Sequence, residues 1–329
     1  MGKEKEKVSL NDLIKDLQKT FGETTITKLG DAKTVKVDVI PTGSFALDMA
    51  LGVGGLPKGR IVEIYGPESG GKTTLCLTTI AQAQKMGGTA AFIDVECAFD
   101  AVWAAKIGVD VKNLYFVQPD KAEDALNIAE KLISSNSFDI IVVDSVAALV
   151  PNTEVEAEIG NQTMGLRARL LNQALRKLTP AVSRSNTLLI FINQVRQKMG
   201  ASPYENPEVT PGGNALKFAS SVRIDIRKVS PVKDEEEVIG ITVRAKVSKN
   251  KVAPPFRKAE FVLLFSSGIS RETDVFNIGV ERNLIEKQGI SYFWGKEKIG
   301  VGLKNSINAL KENKELCDKI AAKIQEVSA

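Results

Sequence analysis

The 329 residues carry 43% hydrophobic and 26% charged side chains with a formal net charge of +4, which suits one large domain with a buried core and smaller attachments. The longest apolar runs, Ile140 to Val143 and Leu188 to Ile192, fall far short of the roughly 20 residues that cross a bilayer. The charged opening Met1-Gly-Lys-Glu-Lys-Glu-Lys7 has no apolar stretch behind it, so a cytoplasmic protein without a membrane partner is expected. There is no histidine, and Cys76, Cys97 and Cys317 lack metal-ligand spacing. This composition excludes a His-based triad, argues against a zinc site and leaves a carboxylate as any catalytic base. A charge of +4 is too small to identify a nucleic-acid partner by itself.

In chain order, Leu10, Leu13, Ile14 and Leu17 follow Ser9 at helical spacing and predict a small amphipathic N-terminal helix. After the turn at Gly30-Asp31, the alternation from Thr34 to Ile40 predicts a half-exposed strand, free to pair within its own sheet or with a neighbour's. From Gly59 to about Val247, β-branched runs at Ile61 to Tyr65, Ala90 to Asp94, Ile140 to Asp144 and Leu188 to Asn193 alternate with helical stretches at Thr73 to Lys85, Ala122 to Ile133 and Gly165 to Val182. Apolar strands separated by helices predict an α/β core with a mostly parallel sheet covered on both faces. Residues 271–329 lack buried strand runs and end in a helical stretch from Lys304 to Val327, so a small separate helical domain is expected there. The division is therefore 1–33, 34–270 and 271–329.

Directly after the strand Ile61 to Tyr65, the segment Gly66-Pro67-Glu68-Ser69-Gly70-Gly71-Lys72-Thr73 fits G-x-x-x-x-G-K-[ST] and opens into the helix beginning at Thr74. Backbone N–H groups at such a turn, together with the helix dipole, hold an anion. Lys72 then reaches the β- and γ-phosphates, and the Thr73 hydroxyl ligates Mg²⁺. Asp144, closing the apolar run Ile140 to Val143, is expected to hold the same magnesium through water. Glu96 and Glu68 are both candidates to orient the attacking water. Glu96 is favoured because ligands of parallel sheets bind outside the carboxyl ends of the strands.

These segments, with Val143-Asp-Ser-Val-Ala-Ala148, Met164-Gly-Leu-Arg167, Asn186 to Gln194, Gly212 to Phe218 and Lys249-Asn-Lys251, resemble bacterial RecA in order and spacing, from about residue 8 to 325. The resemblance implies a RecA-type ATPase core, with the N-terminal helix and strand docking on the adjacent subunit of a head-to-tail filament. It makes Glu96 the catalytic carboxylate, gives Gln194 the sensing of nucleotide state, and gives adenine recognition to Asp100 and Trp103, where tyrosine is usual. It also sends Lys249 and Lys251 across the filament interface to the γ-phosphate held by a neighbour. The two lysines, one residue apart, are expected on one face of a strand.

Two polar, glycine-rich segments, about 156–165 and 195–213, read from composition alone as flexible surface loops. The second carries only Arg196 and Lys198 against Glu205 and Glu208. The resemblance makes them the two DNA-binding loops, with Met164, Arg169, Arg176, Arg196, Lys198, Gly212, Gly213 and Asn214 as contact candidates. Around Ala201 to Pro207 the second loop departs from the family by one extra residue. The implied function is a DNA-dependent ATPase that forms helical filaments on single-stranded DNA, pairs it with homologous duplex DNA and exchanges strands. Co-activation of a self-cleaving repressor is implied as well. The chain stops at Gln325 to Ala329 without the acidic tail frequent in the family, so Lys287, Lys296, Lys298 and Lys304 are expected to capture duplex DNA readily. Two other readings are a ring-forming, helicase-like motor ATPase and a DNA-binding scaffold that holds ATP without turning it over.

Overall fold

A computed structural model describes residues 9–22, 25, 26, 28, 37–155, 165–198 and 207–328. The chain divides into two compact units, residues 1–37 and 38–329. The described part of the first unit is dominated by helix α1 (Leu10–Phe21), whose apolar stripe leaves no residue buried and Leu10, Leu13 and Phe21 exposed.

The second unit runs β1 (Val39–Ile40), α2 (Phe45–Leu51), β2 (Leu56–Pro57), β3 (Ile61–Gly66), α3 (Lys72–Lys85), β4 (Ala90–Asp94), α4 (Ala101–Ile107), β5 (Leu114–Val117), α5 (Ala122–Ser134), β6 (Ile140–Asp144), α6 (Asn152–Val155), α7 (Leu166–Ser185) and β7 (Leu188–Gln194). There follow β8 (Arg196–Gln197), β9 (Glu208–Val209), α8 (Asn214–Ala219), β10 (Val222–Asp234), β11 (Glu237–Asn250), β12 (Lys258–Leu264) and β13 (Gly268–Ile269). The last elements are α9 (Arg271–Glu281), β14 (Glu286–Gln288), β15 (Ser291–Trp294), β16 (Glu297–Val301), α10 (Leu303–Glu312) and α11 (Lys314–Ser328).

The main sheet has nine strands in the order β13-β12-β11-β10-β3-β7-β6-β4-β5. From β10 to β5 every neighbour is parallel, while β11, β12 and β13 extend the other edge antiparallel. The core is therefore α/β and mostly parallel, as expected. Successive strand residues alternate between faces. Val62, Ile64, Ile190 and Ile192 pack with Leu75, Leu77 and Ile80 of α3. Ile61, Ile141, Leu189 and Phe191 pack with Leu126 and Ile133 of α5 and with Leu171, Leu175 and Leu178 of α7. Truncating a fully buried Phe191 to alanine costs about 3–5 kcal/mol.

The long hairpin of β10 and β11 turns at Glu235, where φ is +57°. Near its tip Asp234 meets Lys304 of α10 at 2.8 Å.

Three expectations need correction or bounding. The strand expected over Thr34 to Ile40 lies mostly outside the described residues; its last two residues form β1, which pairs antiparallel with β2. The C-terminal residues are not wholly helical, because β14, β15 and β16 form a three-stranded antiparallel sheet. The final helical stretch is two helices separated by Asn313. These pieces close on a core of Phe276, Ile285, Tyr292, Leu310 and Ile320, which Phe45 of α2 joins.

Candidate active site

Strand β3 delivers the chain to Gly66, and the loop turns into α3 at Gly71, whose φ of +91° and N-cap position favour glycine. A Cβ at Gly71 would come within 2.7 Å of Leu263 Cδ1. The lysine of the loop is buried. Lys72 Nζ donates to the carbonyl oxygens of Gly66 at 3.1 Å and Pro67 at 2.7 Å. Burial pulls its pKa below the usual lysine range, opposed by the carboxylates of Asp144, Glu96 and Glu68. Pro67, Glu68 and Ser69 form the exposed crown of the loop, Gly70 is buried, and Thr74 lies in the first turn of α3.

The carboxyl ends of β3, β7, β6 and β4 are neighbours in the sheet, and each brings a polar residue to the same rim. Asp144 Oδ2 at the end of β6 accepts a 2.8 Å hydrogen bond from Thr73 Oγ1. Burial pushes Asp144 up to about 6, with Glu96 and Asp94 adding repulsion and the Thr73 bond opposing it. Glu96, two residues beyond β4, accepts from Ser145 Oγ and, at 3.2 Å, from Gln194 Nε2 at the end of β7. Lys72, Thr73, Glu96, Asp144 and Gln194 thus stand together, while Glu68 projects from the loop crown.

Sequence reasoning overlooked the part played by Asp94. This buried carboxylate accepts from the backbone N–H groups of Glu96 (3.1 Å), Ala98 (3.0 Å) and Phe99 (3.1 Å), and so fixes the turn that presents Glu96. Its signal was an aspartate two residues before the candidate base, at a strand end. Asp100 caps α4 by accepting the Trp103 N–H at 2.9 Å, and the Trp103 side chain packs half-buried against the core.

The donor set is hard oxygen beside clustered carboxylates, which fits Mg²⁺. Among the described residues no group of three or more His, Cys, Asp or Glu side chains forms a metal cage.

Beyond Gln194 the chain enters the β8–β9 hairpin, closed by Lys198 N–H donating to Pro207 O at 2.7 Å. Arg196 and Lys198 are exposed, as are Arg169 and Arg176, two turns apart on one face of α7. A cavity of about 560 Å³ joins Arg176 to Gly212 and Asn214, and one of about 360 Å³ joins Arg196 to Gly212. Gly213 is exposed between Gly212 and Asn214, whereas Met164 and the adjoining stretches 156–164 and 199–206 lie outside the described residues. Glu208, counted from composition against the loop's cations, is neutralised by Arg227 Nη1 at 3.0 Å and Nη2 at 2.5 Å, which also holds its carboxyl below the usual range.

Lys249 Nζ, at the end of β11, donates to the carbonyl oxygens of Lys217 at 2.8 Å and Phe218 at 3.0 Å, and so caps α8. Lys251 lies past the end of the strand and is exposed, so strand alternation does not place it. It is still close enough to help depress the pKa of Lys249, after burial.

Comparison with known proteins agrees with this arrangement. The family model described as the RecA N-terminal domain matches residues 8–270, and the RecA C-terminal domain matches residues 273–328. The chain is 53% identical to Protein RecA of Porphyromonas gingivalis over 323 residues, covering 98% of this chain and 95% of that one. Identity to Protein RecA of Bacteroides thetaiotaomicron is 54% over 318 residues, covering 97% and 96%. For Protein RecA of Campylobacter lari it is 53% over 317 residues, covering 96% and 92%. With an intact phosphate-binding loop and family matches over nearly its whole length, the chain belongs to the RecA family, and it is an ATP-binding, DNA-dependent ATPase and recombinase of DNA repair.

Proposed function

We propose that the chain assembles head-to-tail as a helical filament on single-stranded DNA in the cytoplasm, and there drives homologous pairing and strand exchange with a duplex. The observation that carries this reading is the hydrogen bond from Gln194 to Glu96. It joins the residue that orients the attacking water to a strand that runs directly into the second loop.

In this reading the loop from Gly66 to Thr74 cradles the phosphates, and Lys72 leaves its two carbonyl partners to stabilise charge developing on the γ-phosphoryl oxygens. Thr73 directly and Asp144 through water would hold Mg²⁺, which would screen charge on the phosphate oxygens. Glu96 orients and polarises the water; Gln194 reports the γ-phosphate; Asp100 and Trp103 face adenine. Lys249 and Lys251 act on the nucleotide of the next subunit.

Met164, Arg169, Arg176, Arg196, Lys198, Gly212, Gly213 and Asn214 hold the DNA backbone. Binding is then sequence-tolerant and salt-sensitive, and base pairing reads the homology. The unburied apolar stripe of α1 and the exposed Tyr115 and Phe116 on edge strand β5 supply surfaces for subunit docking. The residues from 271 onward capture duplex DNA through Lys287, Lys296, Lys298 and Lys304. The assembled filament also favours self-cleavage of a repressor.

The test is phosphate release with and without single-stranded DNA, joined to electron microscopy of the assembly. DNA-stimulated release from open helical filaments is expected. Closed rings would favour a helicase-like motor, and ATP binding without release a scaffold.

A further inference from the structure

On the sheet face that carries Ile61, Leu189 and Phe191, three polar side chains are buried among apolar ones. Glu63 is 0%, Asn193 0% and Arg223 8% exposed. Glu63 Oε2 accepts from Arg223 Nε at 2.5 Å, and Glu63 Oε1 from Asn193 Nδ2 at 2.9 Å. The same Asn193 amide donates to Pro211 O at 3.1 Å, and Asn193 Oδ1 accepts the backbone N–H of Gln194 at 3.0 Å. Arg223 lies 4.5 Å over the Tyr65 ring, and Tyr65 Oη donates to Ser248 Oγ at 3.0 Å, one residue before Lys249.

Removing an ion pair from water costs several kcal/mol per ion, and apolar side chains of equal volume often serve stability as well or better. Stability alone therefore does not account for this trio on an otherwise apolar face. Its connections do supply a use. One amide touches the backbone of Gln194 on one side and the exit of the second loop on the other. Immediately after Pro211, Gly212 and Gly213 have φ of +87° and +68°.

We infer that Glu63, Arg223 and Asn193 form a positioning network that couples Gln194 to the second DNA loop, so that a shift of Gln194 toward a γ-phosphate is passed through Asn193 to the Pro211 carbonyl. This rests on the reading of Gln194 as the nucleotide sensor. None of the three touches nucleotide or DNA; they act by fixing the geometry of residues that do.

The experiment measures the ratio of single-stranded DNA affinity with a non-hydrolysable ATP analogue to that with ADP, by fluorescence anisotropy on the full chain. Glu63→Gln leaves Arg223 as an uncompensated buried charge, so Glu63→Gln/Arg223→Gln, which removes both charges, is measured beside it. Both variants are expected to bind the ATP analogue without DNA within about twofold of the parent, and to lower the ratio by about tenfold, a typical coupling factor. Since the ratio compares two states of one protein, a general loss of packing does not by itself change it. A folded double variant that keeps the parental ratio overturns the inference. Gln194→Ala separates the two readings. If it loses the ratio while the double variant keeps it, only the network fails; if Gln194→Ala also keeps it, the sensor reading falls too.

Discussion

Ser44 Oγ, at the head of α2, donates to Asp274 Oδ2 of α9 at 2.6 Å, tying two helices that are 230 residues apart in sequence. Asp274 also accepts the Ala46 N–H at 3.3 Å, and nearby Asp48 Oδ1 accepts from the N–H and the hydroxyl of Thr42, each at 2.8 Å. Burial pushes both carboxyls up to about 7. Between the ordinary aspartate value of 3.8 and about 7 the folded chain holds protons that the unfolded chain has released. The stability these groups contribute is therefore largest at low pH and falls as pH rises through that window. Each tenfold change in proton affinity is worth roughly 1.4 kcal/mol. Urea melts from about pH 5 to about pH 8 should therefore show the parent losing on the order of a few kcal/mol more than Asp274→Asn. Equal losses in the two proteins would mean that Asp274 is already ionised in the fold.

Lys72→Ala is expected to lower phosphate release at least about a hundredfold, because it removes charge aimed at the transition state. The side chain is buried, but its two partners are loop carbonyls beside an open rim. The melt should therefore shift by no more than about 1.5–3 kcal/mol, the worth of a hydrogen bond to a charged group. Release near the parental rate would remove Lys72 from the site.

Catalysis shared between subunits can be tested by mixing. Glu96→Gln and Lys249→Ala chains should each be inactive alone. If they mix at random in a head-to-tail filament, about one quarter of junctions join an intact glutamate to an intact lysine. Partial phosphate release should return on mixing. A co-assembled mixture as inactive as its components would show that Lys249 does not act across the junction.

Gly212→Ala should weaken single-stranded DNA binding severalfold in anisotropy titrations and cost about 1–2 kcal/mol in urea melts. Position 212 has a φ of +87°, and a Cβ there would come within 2.7 Å of Leu171 Cδ2 and 3.1 Å of Val146 Cγ1. Parental binding and stability would show that the loop exit tolerates an ordinary side chain.

The strands and helices around the phosphate loop were legible because buried parallel strands are continuous apolar runs and the loop motif has rigid spacing. The α/β core was read correctly at Ile61, Ala90, Ile140 and Leu188. The sheet of β14, β15 and β16 was not, because Glu286 to Gln288 are all exposed and its longest apolar run, Tyr292 to Trp294, is only three residues long. Interactions between residues distant in sequence stayed hidden for a different reason. The pairing of Arg223 with Glu63, across 160 positions, depends on the adjacency of β10 and β3, and that of Arg227 with Glu208, across 19, on how the β8–β9 hairpin folds back over the sheet; a single sequence prints neither. Burial of Lys72 is not legible in the motif, because the loop folds back over its own lysine, which spacing does not reveal.

The β10–β11 hairpin begins beside the phosphate-binding strand, where Val222 pairs with Val62, and reaches Lys304 of α10 through Asp234. At roughly 3.3 Å per residue its first strand spans about 40 Å. Because β11 is also hydrogen-bonded to β12 from Gly240 to Lys246, the hairpin cannot swing by itself: it is a stiff strut built into the sheet, with only its last few residues standing clear. Its base at Arg223 and its tip at Asp234, where it meets Lys304, are thus the two ends of one braced element, and the strut sets the spacing between the phosphate-binding strand and α10.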